Sequence, residues 1–251
     1  MKPRQILNII GLIYVLVVNT LANLLPLNNI TTAEISDKIP SLFTPAGYVF
    51  SIWGLIYLLL IGFTIFQALP SQKDNPILER IGLWFFISCL FNGSWIFMWH
   101  YGLYGLSVVM MLGLLISLLG VYLRANIGKS QPRLIERLMI DIPFGVYLGW
   151  ISVATIANIA SLLIVIGWGG FGLLPVFWTV VVLIVGLLLG LAMIALRHEI
   201  AYPLVLIWAF FGIIQAQSEN TPIVVAAGIA SAILVVALLF LIFKIKLVKS
   251  A

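Results

Sequence analysis

Apolar stretches long enough to cross a lipid bilayer recur along the whole chain, and this recurrence constrains the fold more than any other feature. A membrane-spanning helix needs about 20 mostly apolar residues. Only 8% of the residues are charged, whereas about 25% is usual in a soluble domain. The sequence therefore predicts an all-α membrane protein with eight transmembrane helices in a lipid bilayer, at residues 6–25, 46–69, 81–100, 103–123, 138–163, 174–196, 201–217 and 221–243.

The basic residues predict how these helices are oriented. In an eight-helix topology every Lys and Arg except Lys38 falls on the same side of the membrane. Because basic residues concentrate on the cytoplasmic side, both the N-terminus and the C-terminus are expected in the cytoplasm of a multi-pass cell-membrane protein. The pI near 9.4 does not indicate nucleic acid as a partner, since the basic residues form no continuous stripe.

Aromatic and amide side chains share helix faces in three of the predicted helices. The spacings are three, four or eight residues, which place the members of each set on one face. At similar depth the sets provide stacking area with a few hydrogen-bonding groups, as is typical of a pocket for a flat, largely apolar ligand. The three stripes are Trp53 with Tyr57, Asn92 with Trp95, and Trp150 with Ala154 and Asn158.

Simpler explanations stay open for these residues. Tryptophans often form an interfacial belt, which would suit Trp99 and Trp168. Amides often hydrogen-bond between packed helices with no further role. Asp141 has a structural explanation as well, because an ion pair with Arg137 four residues earlier would account for it.

Residues for metal binding or catalysis do not form recognisable patterns. His100 and His198 lie at predicted helix ends without partners at metal-ligand spacing, and Cys89 is the only cysteine. The sequence motifs of hydrolases and ATPases do not occur. We therefore expect no metal, no required cofactor and no catalytic residues.

The sequence that contains these stripes resembles the TspO/MBR family, also called tryptophan-rich sensory protein or translocator protein. The resemblance extends over about residues 5–163. The first block runs from Pro45 to Phe50 and on to Trp53 and Tyr57, similar to the family's P-P-x-x-V-F-x-x-x-W-x-x-L-Y. The others are 91–95, similar to L-N-x-x-W, and 150–158, similar to W-x-x-x-A-T-x-L-N. Ala46 and Phe43 stand where the family has proline and tryptophan.

The resemblance implies a five-helix bundle with a pocket closed by the first loop, porphyrins as ligands, and a homodimer. It divides the chain into a TspO-like bundle at 1–164 and an additional three-helix membrane region at 165–251. Pro45 would hold the lid, residues 26–45. The ligand-binding residues carried over are Pro45, Trp53, Tyr57, Asn92, Trp95, Trp150, Ala154 and Asn158.

Three functions compete at this point. The first is binding or sensing of a planar hydrophobic ligand, such as a tetrapyrrole, between the second, third and fifth helices. The second is transport of small hydrophobic solutes, although no inverted repeat is visible. The third is an enzyme that assists light-dependent porphyrin breakdown, as the resemblance implies for some relatives; the sequence does not require it.

Overall fold

The computed structural model describes residues 1–24, 27–130 and 132–250, without the side chains of 246–250. Within these residues the chain forms ten α-helices and no strand. A 3-10 turn at Gly47–Ser51 leads into the third helix. The helices are α1 (Pro3–Asn23), α2 (Thr32–Asp37), α3 (Ile52–Ala68), α4 (Pro76–Ile81), α5 (Trp84–His100), α6 (Tyr104–Ala125), α7 (Leu134–Val165), α8 (Pro175–Arg197), α9 (Ala201–Ala216) and α10 (Thr221–Ser250).

Six of the helices in the described part of the chain are long and apolar enough to cross a membrane, namely α1, α3, α6, α7, α8 and α10. Each of the eight predicted stretches coincides with a helix, and α3 reaches 22 residues together with the 3-10 turn before it, but α5 has 17 residues and α9 has 16. At 1.5 Å per residue such helices are about 25 Å long, somewhat less than the thickness of a bilayer core. The all-α fold is therefore confirmed, whereas eight spans remain a prediction.

The helix α7 is irregular near its start. Residues Arg137–Asp141 are π-helical, and Pro143 follows in the first turn of the regular helix. Proline has no N–H to donate and its ring crowds the carbonyl four residues earlier, which favours wider i→i+5 hydrogen bonding before it. The π-helical turn changes the direction of side chains at 137–141 relative to those of a regular helix.

Glycines allow the helices of the bundle to approach closely. A Cβ atom on Gly113 of α6 would lie 2.4 Å from the ring of Phe91 on α5. A Cβ atom on Gly120 would lie 2.6 Å from the ring of Trp84. Small residues of this kind let helices pack by van der Waals contact, which is the main attraction between helices in lipid.

The helix α9 joins the last part of the chain to the bundle. A Cβ atom on Gly149 of α7 would lie 3.0 Å from the carbonyl oxygen of Tyr202. The Tyr202 hydroxyl donates a hydrogen bond to Ser152 Oγ over 2.9 Å. The contact between α7 and α9 is therefore close along the part of α7 that carries the Trp150 stripe.

The other end of α9 contacts the segment that leads into α3. The backbone N–H of Ala46 donates to the carbonyl of Gly212 over 3.1 Å. The indole N–H of Trp208 donates to the carbonyl of Val49 over 3.2 Å, and Tyr48 lies edge-on to Trp208. The helix α9 thus fixes the turn that follows Pro45.

Substitution of Gly212 tests this contact. In Gly212→Ala the new Cβ atom would lie 2.2 Å from Val49 Cγ2 and 3.0 Å from Pro45 Cβ. Overpacking of this kind costs about 1–3 kcal/mol, so the thermal unfolding midpoint in detergent should fall. Gly228→Ala is the control, since no atom of the described residues lies within 4 Å of a Cβ at that position. Equal midpoints for the two variants would contradict the proposed packing.

Candidate ligand-binding site

Four tryptophans from three helices, Trp99 among them, line one cavity beneath the segment that precedes α3. Trp53 comes from α3, Trp95 from α5 and Trp150 from α7, and the cavity measures about 40 Å³. None of its described lining residues is charged. The lining contains six of the eight predicted site residues, namely Pro45, Trp53, Trp95, Trp150, Ala154 and Asn158.

The rings form a stack with one ring standing across it. Trp53 and Trp95 have centroids 6.1 Å apart at 25°, and Trp95 and Trp99 have centroids 6.2 Å apart at 24°. Tyr57 continues the row beyond Trp53 at 5.5 Å. Trp150 is edge-on to Trp53 at 86°. Trp99 lies near the end of α5, yet it is only 4% exposed. It is therefore part of this buried stack.

Hydrogen bonds hold some of the polar groups around the cavity but not all of them. Asn158 Oδ1 accepts from Trp95 Nε1 over 3.3 Å, and Asn158 Nδ2 donates to Ser107 Oγ over 2.9 Å. The Trp150 indole N–H has no partner among the described residues, although the side chain is 2% exposed. A buried donor without an acceptor costs free energy. A ligand that brings an acceptor to this N–H would therefore be stabilised by the hydrogen bond.

Asn92 lies outside the lining of this cavity. Its Nδ2 donates to the Tyr147 hydroxyl over 2.7 Å, and its Oδ1 accepts from Asn19 Nδ2 over 3.1 Å. Asn92 is completely buried. The three side chains therefore form a polar network that connects α1, α5 and α7.

Tyr57 lines a neighbouring cavity of about 310 Å³ between α1 and α3. Asn19 and Asn23 of α1 also line it. The Tyr57 hydroxyl is buried and has no hydrogen-bond partner in the described part of the chain. Thr32, Phe50 and Trp53 line both cavities, so these three side chains separate one cavity from the other.

The predicted lid, residues 26–45, is described from residue 27 onward and contains α2. Trp99 Nε1 donates to the carbonyl of Thr32 over 3.4 Å, and Thr32 Oγ1 shares a 3.0 Å hydrogen bond with His100 Nε2. Asn28 Nδ2 donates to the carbonyl of His100 over 2.9 Å. Polar contacts with the end of α5, together with the burial of apolar side chains on the lid, therefore hold it over the cavity.

Two lid residues that the sequence patterns did not predict, Thr32 and Ser36, also line the cavity. They are four residues apart on α2, so they share a face. The available signal was the pair Thr31 and Glu34, which forms a capping box at the start of this helix. That S/T-x-x-E pattern predicts a helix start.

The fold and the cavity together define a multi-pass α-helical membrane protein with an uncharged, tryptophan-lined site under a short lid. The sequence model of the TSPO-like protein family matches residues 5–240, and the chain belongs to this family. The family resemblance is therefore confirmed, and the match also covers α8, α9 and most of α10. Neither a curated protein nor a solved structure matches the chain.

The polar network predicts a structural effect of Asn92→Ala. The substitution leaves the Tyr147 hydroxyl without its donor and removes the side-chain acceptor of Asn19, which keeps only its bond to the Val15 carbonyl. Stability should fall by about 1 kcal/mol or more. Unfolding in detergent followed by circular dichroism measures this change. Asn23→Ala is the control, since among the described residues Asn23 Nδ2 donates only to the Asn19 carbonyl of its own helix. A loss of the same size in both variants would argue against the network.

Proposed function

We propose that the protein binds a planar, largely apolar ligand of the tetrapyrrole type in the cavity between α3, α5 and α7. The observation that supports this most directly is the convergence of Trp53, Trp95 and Trp150 on an uncharged cavity. Indole rings offer large stacking surfaces to a flat ligand. The unpaired Trp150 N–H adds one donor for a polar group on the ligand's edge.

Ligand entry in this proposal requires the site to widen. Cavities that hold small-molecule ligands usually measure about 300–1,000 Å³, whereas this one measures about 40 Å³. Rotation of Phe50 and displacement of α2 would join it to the neighbouring cavity of about 310 Å³. The lid is the element we expect to move, because it is short; its displacement breaks the polar contacts to α5 and uncovers Ile35, Ile39 and Phe43.

The predicted residues take different roles in the widened site. Trp53 and Trp95, whose rings lie 25° apart, stack on the ligand; Trp150, edge-on to Trp53, donates its N–H to the ligand's edge, and Ala154 leaves room for it. Pro45 forms the edge of the entrance, and Asn158 orients Trp95 through their hydrogen bond. Tyr57 contributes its unpaired hydroxyl from the neighbouring cavity. Asn92 acts indirectly by holding Tyr147.

The proposed setting is a cell membrane crossed eight times, with both termini in the cytoplasm. In this topology α5 and α9 are short spans. Both pack between longer helices, α5 against α1 and α6 and α9 against α7 and α10, and protein neighbours can shield the ends of a short span from lipid. The TspO-like bundle is 1–164, and 165–251 is the additional membrane region that packs on it through α9.

Titration with protoporphyrin tests the site. In Trp150→Phe the aromatic surface is largely kept and one donor is lost, so affinity should fall about fivefold, as expected for one hydrogen bond. No hydrogen bond within the described residues is lost, so any fall in the unfolding midpoint should reflect only the smaller ring in a site that is 2% exposed. The shift of the porphyrin absorption band measures binding without relying on tryptophan fluorescence.

Two further variants complete that titration. Trp53→Ala removes the central ring of the stack and should weaken binding more than Trp150→Phe does. Trp168→Phe is the matched control, since Trp168 contacts Phe171 and Trp178 away from both cavities. Wild-type affinity in Trp53→Ala and Trp150→Phe alike would refute this cavity as the binding site.

Cysteine labelling in intact cells tests the topology. The single native cysteine, Cys89, is buried, so an introduced cysteine reports its own accessibility. Ser218→Cys, between α9 and α10, should react with a membrane-impermeant maleimide from outside. Ser71→Cys, between α3 and α4, should react only after permeabilisation. Both positions are exposed at the protein surface, and labelling of Ser71→Cys in intact cells would contradict cytoplasmic termini.

A further inference from the structure

A groove of about 780 Å³ lies between α3, α7, α9 and α10, and we name it the lateral groove. Ile142 and Val146 of α7 form its floor, while Leu55 of α3 and Leu204 of α9 line its sides. It shares no lining residue with the two cavities around Trp53. Whatever binds there is therefore independent of the tetrapyrrole proposal.

The lateral groove is apolar along most of its length and open on one side. Leu55 is 48% exposed and Leu204 is 52% exposed, so the opening faces the surroundings of the bundle. The helix α9 lines the groove from Ala201 to Trp208, a rise of about 10 Å. In a membrane protein an apolar opening on the side of the bundle faces lipid acyl chains.

Charged groups lie at one end of the lateral groove. Glu199 is fully engaged, since Oε1 accepts from the backbone N–H of Ala201 over 2.9 Å and Oε2 accepts from the Tyr122 hydroxyl over 3.2 Å. By contrast, no hydrogen bond or ion pair involves the side chain of Arg137 or Asp141 in the part of the chain that the structure describes. Two opposite charges thus line the same end of the groove without protein partners.

The expected ion pair between Arg137 and Asp141 does not form within 4 Å in the described structure. The two residues are the first and last of the π-helical segment before Pro143. In i→i+5 geometry residues four apart no longer stand directly above each other as they do in a regular helix. The π-helical turn therefore separates a cation from an anion and leaves both available to a ligand.

We propose that the lateral groove binds one phospholipid with an ethanolamine-type headgroup. An acyl chain lies along Leu55, Val146 and Leu204, the ammonium group donates to Asp141, and the phosphate accepts from Arg137. A molecule with a cation, an anion and an apolar chain complements every feature of the groove. An anionic lipid would pair with Arg137 but would bring its charge close to Asp141 and Glu199.

The test uses the purified, delipidated full-length chain in detergent, titrated with phosphatidylethanolamine or phosphatidylglycerol and analysed by native mass spectrometry. We expect one tightly bound phosphatidylethanolamine per chain and weaker binding of phosphatidylglycerol. Asp141→Asn and Arg137→Gln should each weaken phosphatidylethanolamine binding about tenfold, since each removes a charge-assisted hydrogen bond. Asp37→Asn and Lys38→Gln on the lid are matched controls and should bind as wild type.

A groove-filling variant keeps the test independent of charge. Leu55→Trp should block the lateral groove and abolish the bound lipid. Leu58→Trp is the control on the same helix, because Leu58 is 66% exposed and does not line the groove. Both positions are exposed enough to accept the larger side chain without loss of folding.

Three results would overturn the proposal. Equal retention of both lipids in all variants would mean nonspecific surrounding lipid. Binding that Asp141→Asn weakens and Arg137→Gln leaves unchanged would indicate a purely cationic amphiphile instead. Wild-type lipid binding in Leu55→Trp would place the lipid elsewhere. None of these results bears on protoporphyrin binding, which is measured in a separate titration.

Discussion

Close packing at glycine positions determines the arrangement of these helices, because lipid gives apolar helices little hydrophobic reason to associate. Gly113 and Gly120 of α6 receive the rings of Phe91 and Trp84 from α5. The seven-residue spacing of those rings puts them on one face of α5. Asn92 and Trp99, with the same spacing, lie on the adjoining face. The contact with α6 therefore sets which side chains of α5 turn toward α3 and the lid.

Polar groups inside the bundle divide into those that the protein satisfies and those that it leaves unpaired. Asn92 and Asn158 are both hydrogen-bonded to other side chains, which removes the cost of burying them and fixes the helices around them. The Trp150 N–H and the Tyr57 hydroxyl are buried without described partners. Both unpaired groups flank Trp53, one on each side of the boundary between the two cavities.

Most of what the sequence could predict came from two signals, the length of the apolar stretches and the spacing of side chains along each helix. The eight stretches coincide with helices, and Trp53, Trp95 and Trp150 meet around one cavity. The rest depended on contacts between distant segments, which no local pattern reports. Asn92 of α5 was predicted to line the cavity, but its side chain hydrogen-bonds to Tyr147 and Asn19 instead. The lateral groove combines residues from four helices and from a π-helical turn that shifts Arg137 against Asp141.

The hydrogen bond from Ala46 to the carbonyl of Gly212 has a mechanical consequence. Ala46 directly follows Pro45, at the rim of the tryptophan-lined cavity, while Gly212 belongs to α9, the second helix from the C-terminus. A displacement of the rim must either stretch this bond or pull α9 along with it. The position of α9 is thereby coupled to the position of the cavity entrance. A movement at the entrance is transmitted to α9, although α9 does not line the cavity.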